Sequence, residues 1–172
     1  SVLNNAPLLR KVYIPKYIFP LEKTCFGFVN CCFSFIALVL VMLFTLSPVH
    51  WTLPLALYPL LTLFVFSLGA GLVLATMTVF FRDVMHMWEV FTTALMYFSA
   101  IFYDPEMMSG WVQQFIKFNP IYWYITGFRR VVINGEGLSL SMILVCGGCA
   151  AAALAFGLFV FKKNQDKFVL YL

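Results

Sequence analysis

VFTTALMYFSAIFYDPEMMSGWVQQFIKFNPIYWYITGFRR, residues 90–130, decides how this chain is read. It opens as an uncharged apolar run over 90–103. Asp104-Pro105 breaks that run, and a second apolar piece continues to Ile116. Lys117-Phe118-Asn119-Pro120 makes another break, and a third piece, IYWYITGF, ends at Arg129-Arg130. Crossing ~30 Å of hydrocarbon takes about 20 helical residues, so none of the three is a comfortable span alone. Apolar runs of about 10–14 residues fit re-entrant or interfacial segments better. Eleven aromatic residues fall between Tyr97 and Phe128. Trp and Tyr form belts at membrane interfaces, which accounts for part of this density but not for the two breaks. A Pro-broken aromatic hairpin folded back toward the bilayer suggests the mouth of a pathway.

The rest of the composition agrees with a membrane setting. The 172 residues are 63% hydrophobic and 10% charged, with a mean hydropathy of +0.94. Soluble domains carry about 25% charged residues, so the fold expected is an all-α integral membrane protein. A net charge of +4 is modest and does not suggest nucleic acid. The five cysteines, Cys25, Cys31, Cys32, Cys146 and Cys149, all lie in apolar runs. Cys146-Gly-Gly-Cys149 has the spacing of a redox or metal motif. Its mid-span position, without His or carboxylate nearby, favours small-residue helix packing instead. The chain opens on Ser, and its first 16 residues are polar and basic with two prolines, so it reads as lacking its true start.

From Thr24 to Phe81 no residue carries a formal charge. As one helix this run would be roughly 87 Å long at ~1.5 Å per residue, so it must turn. Ser47-Pro48-Val49-His50-Trp51-Thr52-Leu53-Pro54 supplies the turn. The expected spans are residues 21–46, 53–80, 85–103 and 138–161, with a kink at Pro59. Small residues spaced by four, Ser67/Gly71/Ala75 and Gly147/Ala151/Ala155, are expected to admit neighbouring helices. Arg10, Lys11, Lys16, Lys23, Arg82, Lys162, Lys163 and Lys167 fall on one side of these spans, and Lys117, Arg129 and Arg130 on the other. The positive-inside rule then puts both termini in the cytoplasm and residues 104–137 outside.

Few residues suggest chemistry. The acids Glu22, Asp83, Glu89, Asp104, Glu106, Glu136 and Asp166 lie at span ends or in loops, and His50 and His86 are far apart. There is no P-loop for ATP and no intramembrane acid or base for a proton relay. Arg82-Asp83 reads either as a snorkelling pair ending a helix or as a loop that docks a partner. Residues 1–16 read either as a basic flank attracted to anionic lipid or as a short amphipathic helix that docks into a soluble partner. In the hairpin, aromatic faces can stack on sugar rings and Arg can recognise phosphate. A lined exit for a large amphipathic or anionic substrate fits those residues.

Four stretches together resemble a known family. They are NNAPLLRKVYIPK at 4–16, FFRDV at 80–84, NPIYWYITGFRR at 119–130 and FKKNQDKFVLYL at 161–172. In order and spacing the chain is similar to the permease subunit of type-2 ABC exporters of cell-surface polysaccharide, such as O-antigen, capsule or teichoic acid. The resemblance implies a six-span permease of which this is the C-terminal two-thirds, working as a homodimer in the bacterial cytoplasmic membrane. It implies that residues 1–16, through Asn4, Pro7, Leu8, Arg10, Lys11, Tyr13 and Pro15, couple to a separate ATPase subunit that binds ATP and Mg. Residues 104–137 would be two short re-entrant outer gate helices, and 162–172 a cytoplasmic tail. The cargo would be a polysaccharide on an undecaprenyl-type lipid.

On this reading the chain is no enzyme and binds no cofactor itself. Tyr97, Phe98, Phe102 and Tyr103 would line the upper pathway. Asn119, Pro120, Tyr122, Trp123 and Tyr124 would form the outer gate, with Arg129 or Arg130 meeting anionic head groups. Alternatives are an exporter of drugs or other lipids, a transferase acting on lipid-linked sugars, and a membrane scaffold. A gene beside glycosyltransferases and an ATPase favours the carbohydrate reading; resistance regulators favour the drug one.

Overall fold

The computed structural model describes residues 18–45, 51–81, 83–99 and 110–165. Among them every regular element is a helix. α1 spans Ile18–Phe44. A 3-10 turn, Leu53–Ala56, leads into α2, Leu57–Phe80. Then come α3 (Val84–Phe98), α4 (Gly110–Phe118), α5 (Pro120–Val132) and α6 (Leu140–Asn164). Pro20–Phe44, Leu53–Phe80 and Leu140–Asn164 are long and apolar enough to cross a membrane. At ~1.5 Å per residue each rises roughly 37–42 Å, more than the ~30 Å of hydrocarbon. α3 has 15 helical residues, a rise of about 22 Å. The sequence carries this span on to Tyr103, and residues 100–109 lie outside the described residues.

Proline placement explains two helix starts. Pro20 falls in the first turn of α1, where a missing N–H leaves no helical bond unmade. The disturbance expected at Pro59 takes another form. The chain enters as a 3-10 turn with Pro54 near its start and converts to α geometry at Leu57, which leaves Pro59 in the first turn of α2.

The chain divides into two compact units. The first gathers Ser1–Pro48, Phe64–Met85 and Ala150–Leu172. In it α1 turns one face inward, with Thr24, Phe28, Cys31, Phe35, Leu38 and Met42 half-buried at spacings of three and four. Phe28 packs on Phe64 of α2 with ring centroids 4.6 Å apart. The outer face of α1 is apolar and exposed, as at Phe26, Phe33 and Ile36, which suits a helix bathed in lipid.

Small residues make the α2–α6 seam of this unit, but in a register the sequence did not reveal. A Cβ on Gly69 would collide with the Ala153 backbone, and one on Gly157 with the Gly69 backbone. Of the expected stripes, Gly71 does admit α1, since its Cβ would lie 3.4 Å from Thr24 Oγ1. Ala151 and Ala155, however, are exposed. Both helices are apolar all round, so hydrophobic periodicity cannot encode their rotation about the axis.

The second unit gathers Val49–Leu63 and His86–Cys149. Side chains that bond across elements hold it together. Tyr58 at the start of α2 donates to the Ile143 carbonyl near the start of α6, at 2.7 Å. Tyr124 of α5 donates to the Cys146 carbonyl of α6, at 2.9 Å. Thr52, ahead of the 3-10 turn, donates to the Val131 carbonyl at the end of α5, at 3.1 Å. Ala56, Ile116, Tyr124, Val131 and Val132 form the buried centre.

Two stability predictions follow from these seams. Gly69→Val or Gly157→Leu should lower the thermal midpoint of the detergent-solubilised protein sharply, because the opposing atoms are backbone and overpacking costs about 1–3 kcal/mol or more. Ala151→Leu, on the exposed face, should leave it unchanged; equal effects at both places would refute the seam. Tyr124→Phe keeps the ring but loses the bond to α6, and should cost about 1 kcal/mol by denaturant titration.

Candidate functional site

The hairpin of α4 and α5 is built around a helix start. Asn119 caps α5: its Oδ1 accepts from the Ile121 N–H at 3.0 Å, and Pro120 stands at the first helical position, which needs no N–H partner. The same side chain reaches further. Its Nδ2 donates to Ser99 Oγ at 3.1 Å, and Ser99 donates in turn to the Leu95 carbonyl at 2.6 Å. Ser99 follows α3 directly and is 1% exposed. One amide therefore caps α5 and holds the end of α3.

The three consecutive aromatics expected to form one constriction diverge. Successive residues on a helix point about 100° apart, so three in a row cannot all share a face. Tyr124 points inward, is 1% exposed and donates to α6. Burial first, and then the nearby Cys146 thiol, push its hydroxyl well above the ordinary tyrosine range, so it stays a protonated donor. Trp123 turns back and donates its indole N–H to the Lys117 carbonyl at 2.8 Å, closing the end of α4. Its ring meets Tyr122 edge-on at 5.9 Å. Tyr122 and Trp123 remain half-exposed.

The far end of α5 carries Arg129 and Arg130, where cations favour the helix dipole. The structure separates them. Arg130 donates from Nε and Nη2 to Glu136 Oε2, both at 2.9 Å, and its Nη1 lies 3.9 Å from Met142 Sδ. Arg129 is half-exposed one residue earlier. The chain turns at Gly135, whose φ of 67° suits glycine, and the Glu136 N–H returns to the Arg130 carbonyl at 3.1 Å.

The remaining site candidates are placed as follows. Tyr97 and Phe98 close the last turn of α3, 60% and 56% exposed. Asp83 is exposed in the turn between α2 and α3. Asn4, Pro7, Leu8, Arg10, Lys11, Tyr13, Pro15, Arg82, Phe102 and Tyr103 lie outside the described residues. Ser99, Thr52 and Tyr58 were missed by the sequence reading. Ser99 sat inside what read as a continuous span, and only its polarity in an apolar run marked it.

Comparison with known proteins identifies the setting of this hairpin. Two O-antigen export system permease proteins RfbA of Klebsiella pneumoniae are 23% and 22% identical to the chain over 172 residues. The alignments cover 98% of this chain and 65% of each relative. The sequence profile of ABC-2 type transporters matches residues 11–133, which take in α1 to α5 and the hairpin. With three helices fit to span a bilayer, this is a multi-pass membrane protein, and the chain belongs to the ABC-2 type transporter family.

Proposed function

We propose that the chain is the membrane-spanning permease part of an ATP-driven exporter that moves lipid-linked polysaccharide across a bacterial cytoplasmic membrane. The observation that carries this reading is the alignment with O-antigen export permeases over nearly its whole length. The aromatic hairpin supports it chemically, because half-exposed Tyr122 and Trp123 offer ring faces for sugars. ATP and Mg are bound by a separate ATPase subunit, and a homodimer of the permease encloses the path. The cargo is of the O-antigen, capsule or teichoic-acid type.

The proposed topology has four crossings with both termini cytoplasmic. Lys162 and Lys163 in the last turn of α6 then lie at the cytoplasmic face. The second unit supports one common side for the other ends. The start of α2 bonds to the end of α5 through Thr52, and to the start of α6 through Tyr58. The end of α3 bonds to the start of α5 through Ser99. For α2 and α6 to begin on the same side, α3 must bring the chain back, so it acts as the third crossing. The hairpin of residues 104–137 is then the outer, re-entrant gate. In this proposal Tyr97, Phe98, Phe102 and Tyr103 line the upper pathway, and residues 1–16 receive the stroke of the ATPase.

Two experiments test this in intact cells. With the five native cysteines replaced, single cysteines at positions 122, 123 and 129 should react with a membrane-impermeant maleimide from outside; reaction from the cytoplasmic side alone would invert the topology. Reversing charge at Arg10 and Lys11 to Glu should weaken recovery of the ATPase subunit with the permease by about tenfold and cut export. Unchanged export would remove the coupling role of this segment.

A further inference from the structure

Ser99 and Asn119 join two elements of very different seating. α5 is fixed in its unit. Tyr124, Gly127, Val131 and Val132 are buried, Tyr124 bonds to α6 and Thr52 bonds to its far end. α3 is seated lightly, with no buried residue between Val84 and Phe98. The first buried side chain after its start is Ser99, and that one meets Asn119. A buried polar group left without a partner costs more than a made bond gains. Here the partner satisfies it and also caps a helix. The bond to Asn119 ties the end of the lightly seated α3 to the well-seated α5.

We propose that Ser99 and Asn119 are a positioning pair that ties the last turn of α3, which carries Tyr97 and Phe98, to the capped start of α5, which carries Tyr122 and Trp123. Tyr97 and Phe98 immediately precede Ser99, so the backbone that carries them is anchored where Ser99 is held. Tyr122 and Trp123 follow Asn119 by three and four residues, so their direction follows from the cap. The amide–hydroxyl bond thus links the two segments that carry the aromatic pairs. When α3 is displaced, it pivots on this bond while α5 stays with α2 and α6. The pair does not touch the cargo; it holds the residues that do. This rests on the export reading above.

Ser99→Ala in the complete transporter removes the acceptor and leaves the cap intact. Ser99→Thr restores a hydroxyl. Asn119→Ser keeps a capping oxygen but is too short to reach Ser99, and guards against a folding defect peculiar to Ser99→Ala. Amide exchange by mass spectrometry in lipid nanodiscs should show residues 94–99 exchanging about fivefold faster in Ser99→Ala and Asn119→Ser. Residues 124–132 should be unchanged, and Ser99→Thr should match the parent. In cells, Ser99→Ala should lose most polysaccharide export while ATP hydrolysis continues, and Ser99→Thr should recover it. Unchanged exchange over 94–99 overturns the pair. Faster exchange with parental export overturns its positioning role. If the parent exports no polysaccharide at all, the functional reading fails, while the exchange measurement still decides the contact.

Discussion

A polar side chain buried among apolar helices has no water to turn to, so it must find its partner inside the chain. Among the described residues no buried side-chain nitrogen or oxygen lacks one. Most hydroxyls solve this locally. Thr24, Thr76 and Thr78 donate to the carbonyl four residues back on their own helix and so say nothing about neighbours. Thr52, Tyr58, Asn119 and Tyr124 instead reach other elements. All four belong to the unit that contains the hairpin. A directional bond fixes the rotation of a helix, whereas an apolar contact mostly fixes its distance. The first unit therefore depends on backbone approach at Gly69 and Gly157, and the second on hydrogen bonds that orient α5.

That difference explains what could be read from the sequence. Where spans are expected at 21–46, 53–80 and 138–161, the helices Pro20–Phe44, Leu53–Phe80 and Leu140–Asn164 are long and apolar enough to cross a membrane. Uninterrupted apolar length is a local property, and so is the break at Asn119-Pro120 that separates α4 from α5. Rotation is not local. The small-residue stripe of the last helix lay at Ala153 and Gly157, not at Ala151 and Ala155. Tyr122, Trp123 and Tyr124 read as one aromatic block, but the helix buries Tyr124 and leaves Tyr122 and Trp123 half-exposed with their rings in contact. Ser99 had no signal beyond its polarity, because its meaning lies in a residue 20 positions away.

The arginine pair shows the same limit in electrostatic form. Read along the chain, Arg129-Arg130 is a doubled positive charge at the hairpin's end. In space Glu136 lies against Arg130 and offsets its charge, so the pair is not simply a doubled positive charge. The ion pair is 40% and 53% exposed, so by itself it stabilises little. Its effect is geometric. Together with Gly135 and the Glu136 N–H on the Arg130 carbonyl, it fixes how the chain leaves α5 and enters α6. For Arg130 to meet an anionic head group it must exchange Glu136 for it, and that exchange would release the turn it braces.

The two ways of holding helices also divide the work under the proposed function. A transporter driven by a separate ATPase has to pass movement through its membrane helices without losing the shape of its exit. Glycine seams such as Gly69–Gly157 let two helices lie in backbone contact, with no long side chains to interlock and resist sliding. Hydrogen-bonded seats such as Tyr124 on Cys146 resist rotation, because turning the helix would strand a buried hydroxyl. In the unit that carries the aromatic hairpin, this second device seats α5 on α6 through Tyr124, on Thr52 and on Ser99. Under that proposal α5 is the rigid part of the exit, and α3, with no buried residue between Val84 and Phe98, is where a driven displacement meets least resistance.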